Sequence, residues 1–144
     1  MTLSVGTTAP AFTTTDDAGN SVSLSDFKGK TVVLYFYPKD DTPGCTKQAQ
    51  SFRDNYTEYQ DKDMVVLGVS MDDQASHQKF KEKYGLPFTL LVDSDGAITK
   101  AYDVDAGGRS QRVTYVIDGD GSITKVDSNV NTSTHATDVL AGLG

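Results

Sequence analysis

The sequence predicts an α/β fold with a mixed β-sheet, and three observations lead to this prediction. Residues 31–37 are almost continuously apolar and rich in β-branched and aromatic side chains, which is typical of a strand covered on both faces. Similar runs at 64–70 and 88–92 alternate with helical patterns, as in a parallel sheet. The runs 112–117 and 122–126 flank a short turn and predict a hairpin, which makes the sheet mixed.

Three helices are predicted between and after these strands. Residues 47–60 carry apolar side chains at helical offsets, which favour one buried face (Ala49, Phe52, Tyr56 and Tyr59). Residues 74–84 form a second amphipathic pattern that turns Phe80 inward and ends at Gly85. Residues 133–140 predict a closing helix.

The N-terminal segment predicts a separate β-hairpin. Residues 11–15 and 22–24 have the character of short strands, and turn-forming residues at 16–20 lie between them. Residues 25–27 predict a helical turn that ends at Gly29. The chain is therefore expected to carry a hairpin extension ahead of its central sheet.

Composition narrows the possible functions. A chain of 144 residues is expected to form a single domain over 1–144. Thirteen basic residues against 20 acidic ones give a net charge of −7, and an acidic surface repels phosphate groups. Nucleic acids and anionic membranes are therefore not expected partners. No apolar run approaches the roughly 20 residues of a transmembrane helix, and residues 1–5 do not have the pattern of a signal peptide.

Cys45 is the only cysteine, so an intrachain disulfide is impossible and a reducing cytoplasm is the expected location. It follows the strand at 31–37 and precedes the helix at 47–60, which places the thiol on the first turn of that helix. Unpaired N–H groups and the macrodipole at a helix N-terminus favour the thiolate, which is the nucleophilic form. Placement alone leaves two interpretations open, a reactive nucleophile and a buried structural thiol.

The stretch 35–47, Tyr-Phe-Tyr-Pro-Lys-Asp-Asp-Thr-Pro-Gly-Cys-Thr-Lys, resembles the peroxidatic signature of Q-type peroxiredoxins, the bacterioferritin-comigratory-protein subfamily. The resemblance extends over nearly the whole chain, through residues 10–12, 24–30, 85–93 and 112–118. It implies a thioredoxin-like fold, with a central mixed β-sheet flanked by helices and an N-terminal β-hairpin extension. It also implies thiol-dependent reduction of hydrogen peroxide and organic hydroperoxides, without metal, flavin or haem.

Two positions depart from the family pattern. Many members carry a resolving cysteine five residues after the peroxidatic one, where this chain has Gln50. The chain therefore resembles a one-cysteine (1-Cys) variant that needs an external thiol reductant such as glutathione, glutaredoxin or thioredoxin. Position 48 is often glutamate in the family, and Gln48 can hydrogen-bond but cannot supply a carboxylate. Because relatives are often monomers, a monomer is expected.

The resemblance assigns a role to each candidate catalytic residue. Cys45 attacks the peroxide and becomes a sulfenic acid. Arg112 presents a charged fork of donors to the thiolate and the peroxide, although an arginine at a strand start is more commonly a solvated edge or a salt bridge. Thr42 offers a hydroxyl to a peroxide oxygen, and a simple helix cap is the rival interpretation.

The substrate pocket is predicted from the residues around Cys45. Pro43 shapes the loop and shields the sulfur, and the N–H groups of Gly44 and Cys45 hold the reacting oxygens. Tyr37 and Pro38 form the wall, while a core aromatic is an equal interpretation of Tyr37.

Other features predict no further site. His77 and His135 flank no cysteine and are interpreted as solvated surface residues, so no metal ligand set is expected. The alternative function is a peroxide-sensing redox module, in which a partner protein recognises oxidised Cys45. Catalytic turnover separates the two, because a sensor needs only one oxidation. A disulfide reductase is disfavoured because the chain has no Cys-x-x-Cys pair.

Overall fold

The computed structural model describes residues 2–142, and a five-stranded mixed sheet forms their centre. The strands are β1 Thr13–Thr15, β2 Ser21–Ser23, β3 Thr31–Phe36, β4 Met64–Ser70, β5 Thr89–Val92, β6 Val113–Ile117 and β7 Ile123–Asp127. The central order is β5-β4-β3-β6-β7, in which β3, β4 and β5 are parallel and β6 pairs antiparallel with both β3 and β7. The predicted mixed sheet, its terminal hairpin and the separate β1–β2 hairpin are confirmed.

Helices cover both faces of this sheet. Within the described residues they are α1 Pro43–Asp54, α2 Tyr56–Asp61, α3 Gln74–Tyr84, α4 Ala97–Ala101 and α5 His135–Gly142, with a short 3-10 turn at Leu24–Phe27. The prediction for α3 is confirmed, including its end at Gly85, whose φ of 60° is the left-handed conformation that glycine adopts without strain.

The predicted helix over 47–60 is in fact two helices that meet at Asn55. The Asn55 side chain donates a hydrogen bond of 2.8 Å to the backbone carbonyl of Ser51. A side-chain amide that satisfies a helical carbonyl competes with the helix's own N–H groups, and the backbone turns at this point. Tyr59 is nonetheless fully buried from the second helix.

The short helix α4 was not predicted, because five residues are too few to display a period. Asp93 begins it: its carboxylate accepts the backbone N–H groups of Ile98 at 2.9 Å and Thr99 at 2.8 Å. Residues 93–96 form a turn that leads into α4, and its last residue, Gly96, has a φ of 73°.

Two apolar cores lie on opposite faces of the sheet. Alternate residues of β3 divide between them, with Val32, Leu34 and Phe36 on one side and Val33 and Tyr35 on the other. The first core packs against the N-terminal hairpin and α4, whereas the second packs against the other helices and includes the sulfur of the single cysteine.

The antiparallel pairing of β3 and β6 brings the candidate catalytic segments together. Phe36, the last residue of β3, pairs with Val113, the first residue of β6. The loop that follows β3 and the residue that precedes β6 therefore meet at the same edge of the sheet. This edge is the carboxyl end of the parallel strands, where ligands bind in open α/β sheets.

Candidate active site

Cys45 is the third residue of α1, as the sequence predicted. Thr42 has an extended backbone and precedes Pro43, whose fixed φ suits the first helical position. The first bond of the helix runs from the N–H of Thr46 to the carbonyl of Thr42 at 2.8 Å. The N–H groups of Gly44 and Cys45 have no acceptor within the helix, and the Cys45 residue is 1% exposed.

Arg112 connects the sulfur to a neighbouring side chain of α1. Its Nη2 lies 3.3 Å from the Cys45 Sγ, and its Nη1 donates to the Gln48 Oε1 at 2.7 Å. A guanidinium accepts no hydrogen bond, so the amide oxygen must face it and the Gln48 Nε2 is left as a donor. That nitrogen is buried and has no protein partner among the described residues. The guanidinium therefore has a neutral partner on one side and the sulfur on the other.

Gly44 permits the close approach of this guanidinium. A Cβ at position 44 would lie 3.1 Å from the Arg112 Nη2 and 3.8 Å from the Thr132 Cγ2. The first distance is shorter than an ordinary van der Waals contact, so a side chain would displace the guanidinium. The absence of a side chain at position 44 thus determines how closely Arg112 packs on the first turn of α1.

The remaining candidate residues surround this turn. The Thr42 hydroxyl donates to the Lys39 carbonyl at 2.9 Å, which leaves its oxygen lone pairs available to accept. Pro43 is exposed, and Pro38 is half-buried in the preceding loop. Tyr37 is fully buried and donates to Asp40 at 2.6 Å.

Tyr35 of β3 and Tyr37, which follows that strand, belong to the same apolar core as Cys45. Tyr35 stacks on Phe52 of α1, with ring centroids 4.7 Å apart, and on Tyr37 at 5.4 Å. Burial raises the pKa of Tyr35 well above its usual value, and the charges of Cys45 and Asp40 raise it further. Burial likewise raises the pKa of Tyr37. Both phenols therefore stay protonated at neutral pH.

Comparisons with known proteins agree with this geometry. A sequence model of the AhpC/TSA family matches residues 5–126. The chain belongs to the AhpC/TSA family. Peroxiredoxin Bcp of Bacillus subtilis is 42% identical over 151 residues, which cover 99% of this chain and 96% of the relative. Peroxiredoxin Q, chloroplastic, of Oryza sativa subsp. japonica is 49% identical over 130 residues, which cover 88% of this chain and 60% of the relative.

Solved structures lead to the same family. The crystal structure of a mutant of Xylella fastidiosa PrxQ superposes with a TM-score of 0.94 at 31% identity, over 99% of this chain and 96% of that chain. The chain is thus a Q-type peroxiredoxin with a single cysteine and a thioredoxin-like fold. Its activity is that of a thiol-dependent peroxidase, whose substrates are a peroxide and a thiol reductant.

The structure corrects the prediction for the two histidines of this peroxiredoxin. Both were expected to be solvated, and both are fully buried with 0% exposure. The His77 Nδ1 lies 2.7 Å from the Asp40 Oδ2, and its Nε2 lies 2.8 Å from the Leu91 carbonyl oxygen. Burial lowers the pKa of His77, but the hydrogen bond and charge of Asp40 with the Leu91 carbonyl outweigh it and leave the pKa raised.

His135, the first residue of α5, has the opposite charge state. Its Nε2 lies 2.7 Å from the Thr114 hydroxyl, and its ring meets Phe52 edge-on at 5.4 Å. The Asp127 carboxylate is 3.7 Å from its Nδ1, but that carboxylate is partly exposed and beyond hydrogen-bond distance. Burial lowers the pKa of His135 to about 4, because its effect is larger than the opposite effect of the Asp127 charge. The ring is therefore neutral at neutral pH.

A signal for the burial of His77 was present in the sequence. His77 lies three residues before Phe80 and seven before Tyr84, and residues at these offsets share one face of a helix. That face packs on the core. Nothing in the sequence paired this histidine with Asp40, which lies 37 residues away.

Among residues 2–142, no helix is long and apolar enough to cross a membrane. In the same part of the chain, no group of three or more histidine, cysteine, aspartate or glutamate side chains could hold a metal ion.

Proposed function

We propose that Cys45 is the peroxidatic nucleophile and that Arg112, Thr42 and the first turn of α1 hold the peroxide against it. The observation that carries this proposal is the Arg112 Nη2 placed 3.3 Å from the Cys45 Sγ at a helix N-terminus. A positive guanidinium and unpaired N–H groups both favour the thiolate. The same donors are available to an oxygen that gains negative charge as the O–O bond breaks.

In the oxidative half-reaction, the Cys45 thiolate attacks one peroxide oxygen and the O–O bond breaks. Cys45 is oxidised by two electrons to the sulfenic acid, and the departing oxygen takes a proton and leaves as water or an alcohol. The Thr42 hydrogen is engaged by the Lys39 carbonyl, so its oxygen accepts a hydrogen bond from the peroxide O–H. The N–H groups of Gly44 and Cys45 stabilise the reacting oxygens, while Pro43, Tyr37 and Pro38 keep water away.

In the reductive half-reaction, an external thiol attacks the sulfenic sulfur, forms a mixed disulfide and releases water. A second thiol then frees the Cys45 thiol and leaves as a disulfide. Glutathione, glutaredoxin and thioredoxin are the candidate reductants. A cysteine that is 1% exposed does not admit a bulky thiol, so the first turn of α1 opens locally in this step.

We propose further that the protein is a cytoplasmic, single-domain monomer. The only large apolar side chain exposed among residues 2–142 is Val5, which leaves little apolar surface for a stable subunit interface. Two cores that share one sheet support a single folding unit over 1–144, and a lone cysteine suits a reducing compartment. Light scattering at micromolar concentrations tests the oligomeric state.

Stopped-flow oxidation of the reduced protein tests the nucleophile. We expect rapid loss of one thiol per peroxide and a mass increase of one oxygen, and Cys45→Ser should abolish both. Catalytic turnover with excess reductant separates the enzyme from a sensor. A slow reaction that is the same in both proteins would contradict the proposal.

Arg112→Lys tests whether the reaction needs the guanidinium that contacts both Cys45 and Gln48, because lysine keeps the charge but not the planar fork of donors. We expect the rate with hydrogen peroxide to fall about 100-fold, which is typical for the loss of one positioned donor in an active site. Arg109→Lys, an exposed change in the preceding loop, is the matched control and should retain the wild-type rate. Equal rates for Arg112→Lys and wild type would remove Arg112 from the mechanism.

Gln50→Cys tests the external thiol and the local opening together. A thiol five residues after Cys45 reaches the sulfenic sulfur only if α1 unwinds, since residues five apart lie on different faces of a helix. We expect this variant to form an intramolecular disulfide after peroxide, whereas wild type and Gln50→Ser form a mixed disulfide with added glutathione. Failure of wild type to accept glutathione, glutaredoxin and thioredoxin would refute the proposed reductants.

A further inference from the structure

A buried charged pair anchors the loop that leads to Cys45. Each ring nitrogen of His77 faces an acceptor, the Asp40 carboxylate at 2.7 Å and the Leu91 carbonyl at 2.8 Å. Two acceptors require a hydrogen on both nitrogens, so the ring is an imidazolium. The side chains of His77 and Asp40 are 0% and 2% exposed.

The hydrogen bonds of Asp40 hold it in one place. Its Oδ1 accepts from the Tyr37 hydroxyl at 2.6 Å, and its Oδ2 accepts from the Ser76 hydroxyl at 2.8 Å as well as from His77. Its own N–H donates to the Asp72 carboxylate at 2.8 Å. Displacement of Asp40 would therefore separate buried opposite charges and leave several polar groups unpaired, which is strongly unfavourable.

The position of Asp40 in the chain connects this anchor to the chemistry. Asp40 lies five residues before Cys45, and the next residue, Asp41, has a positive φ of 57°. The exposed carboxylate of Asp41 binds the Lys83 ammonium at 2.8 Å and the Tyr84 hydroxyl at 2.7 Å, again on α3. Asp40 and Asp41, two consecutive residues between β3 and the first turn of α1, are thus both tied to α3.

We propose that His77 is a positioning residue for the peroxidase reaction: through Asp40 it fixes the loop ahead of Cys45, so that the first turn of α1 closes on the peroxide in the reactive geometry. The proposal rests on the function proposed above. His77 does not touch the sulfur, the peroxide or Arg112. His77 keeps the loop before Cys45 in place while the first turn of α1 opens for the reductant and closes again.

This role predicts a split between the two half-reactions. Oxidation needs the closed first turn, where small misplacements of reacting groups slow a reaction considerably. Reduction of the sulfenic acid needs the open first turn. Loss of the anchor should therefore slow oxidation and leave reduction unchanged or faster. A general destabilisation of the core gives no reason to expect opposite effects on the two half-reactions.

His77→Asn provides the test, because asparagine can donate to one acceptor but carries no charge and cannot span to both. We expect the stopped-flow rate with hydrogen peroxide to fall about tenfold, while the reduction of the sulfenic acid by glutathione stays equal or becomes faster. Leu86→Ala is the matched control, since this buried side chain follows α3 and takes no part in the hydrogen bonds of Asp40. It should lower the melting temperature and leave the rates of both half-reactions at their wild-type values.

A second variant covers the case in which His77→Asn does not fold. Ser76→Ala removes one donor from Asp40 and keeps the charged pair. We expect faster amide hydrogen exchange over residues 40–45 and a peroxide rate about twofold lower than that of wild type. Unchanged exchange and an unchanged rate would overturn the proposal, as would a His77→Asn protein that matches wild type or slows both half-reactions alike. Failure of the proposed function is distinct, since wild-type Cys45 would then not react with peroxide.

Discussion

His77 and His135 are equally buried on the same side of the sheet, yet one is charged and the other is neutral. His77 has an acceptor at each nitrogen, including the carboxylate of Asp40, and its pKa is raised. His135 binds only the Thr114 hydroxyl, and burial lowers its pKa to about 4. Burial alone therefore does not determine the charge of a histidine; the groups that face its two nitrogens do.

The two histidines lie on different flanks of the active site, and their charge states suit those flanks. His77 and Asp40 compensate each other next to the loop before Cys45. On the other flank, His135 contacts Thr114, two residues along β6 from Arg112, and the charge of Arg112 itself disfavours a second cation there. One flank thus contains a neutralised ion pair that fixes the backbone. The other leaves the guanidinium charge available to the sulfur.

The largest effect is expected from breaking the charged pair on the first flank. Asp40→Asn leaves the imidazolium of His77 buried without its counter-ion, and the free energy of unfolding should fall by about 3–5 kcal/mol. Urea unfolding at pH 7 measures the change. Asp41→Asn removes the neighbouring carboxylate, which is solvent-exposed and pairs with Lys83, and should have a much smaller effect. Equal losses in the two variants would mean that the Asp40–His77 pair is not the anchor.

The pH dependence of stability should reveal the difference between the histidines. A folded-state pKa near 4 against 6.5 in the unfolded chain means that His135 contributes stability above pH 6.5 and loses about 3 kcal/mol as pH falls to 4. His77, with a raised folded pKa, contributes fully below pH 6.5, and its contribution is lost as pH rises through that folded value.

Urea unfolding across this pH range measures both sides of the stability curve: the acid limb, where His135 loses its contribution, and the alkaline limb, where His77 loses its contribution. His135→Gln keeps a neutral hydrogen-bonding side chain and should flatten the acid limb of the stability curve between pH 6.5 and 4. The alkaline limb should remain in that variant, because His77 is unchanged. An acid limb identical to that of wild type would assign the loss of stability to carboxylates instead of His135.

A smaller effect is expected from adding a charge to the second flank. Gln48→Glu would place a carboxylate on the Arg112 Nη1, compete for the guanidinium and disfavour the nearby thiolate. The rate of reaction with hydrogen peroxide at pH 7 should fall by about tenfold.

Gln50→Glu is the matched control for that prediction. It adds the same charge to the same helix two residues further on, at a half-buried position with no hydrogen bond to Arg112. Its peroxide rate should stay close to that of wild type. Equal losses of rate in the two variants would indicate a general field effect and not a specific role for the neutral amide of Gln48.

Much of the candidate site could be predicted from residues that are neighbours in the sequence. Thr42, Pro43 and Gly44 are adjacent to Cys45, and an extended residue, a first-turn proline and a small residue begin a helix by their own geometry. The signature around Cys45 could therefore be recognised before any tertiary contact was known. Gly85 ended α3 as expected for the same reason, since a left-handed cap is a property of one residue.

Distant pairs could not be predicted in this way. Asp40 and His77 are 37 residues apart, and Thr114 and His135 are 21 apart; each pair meets only because the sheet brings its elements together. The break at Asn55 depended on whether its amide would turn back to Ser51, which the helical period does not reveal. Sequence patterns record which face is buried, but they do not record which polar groups meet there.

The sequence by itself determined that this chain has one cysteine, that this cysteine lies on the first turn of a helix after a buried strand, and that a further strand starts beside Arg112. These are consequences of neighbouring residues and of periodicity, which act before the chain is compact. Tertiary structure alone decided that Arg112 divides its donors between Gln48 and Cys45, and that one buried histidine is charged while the other is neutral. Hydrogen bonds and charges depend on distances of a few ångströms between residues far apart in sequence, and only the folded chain sets those distances.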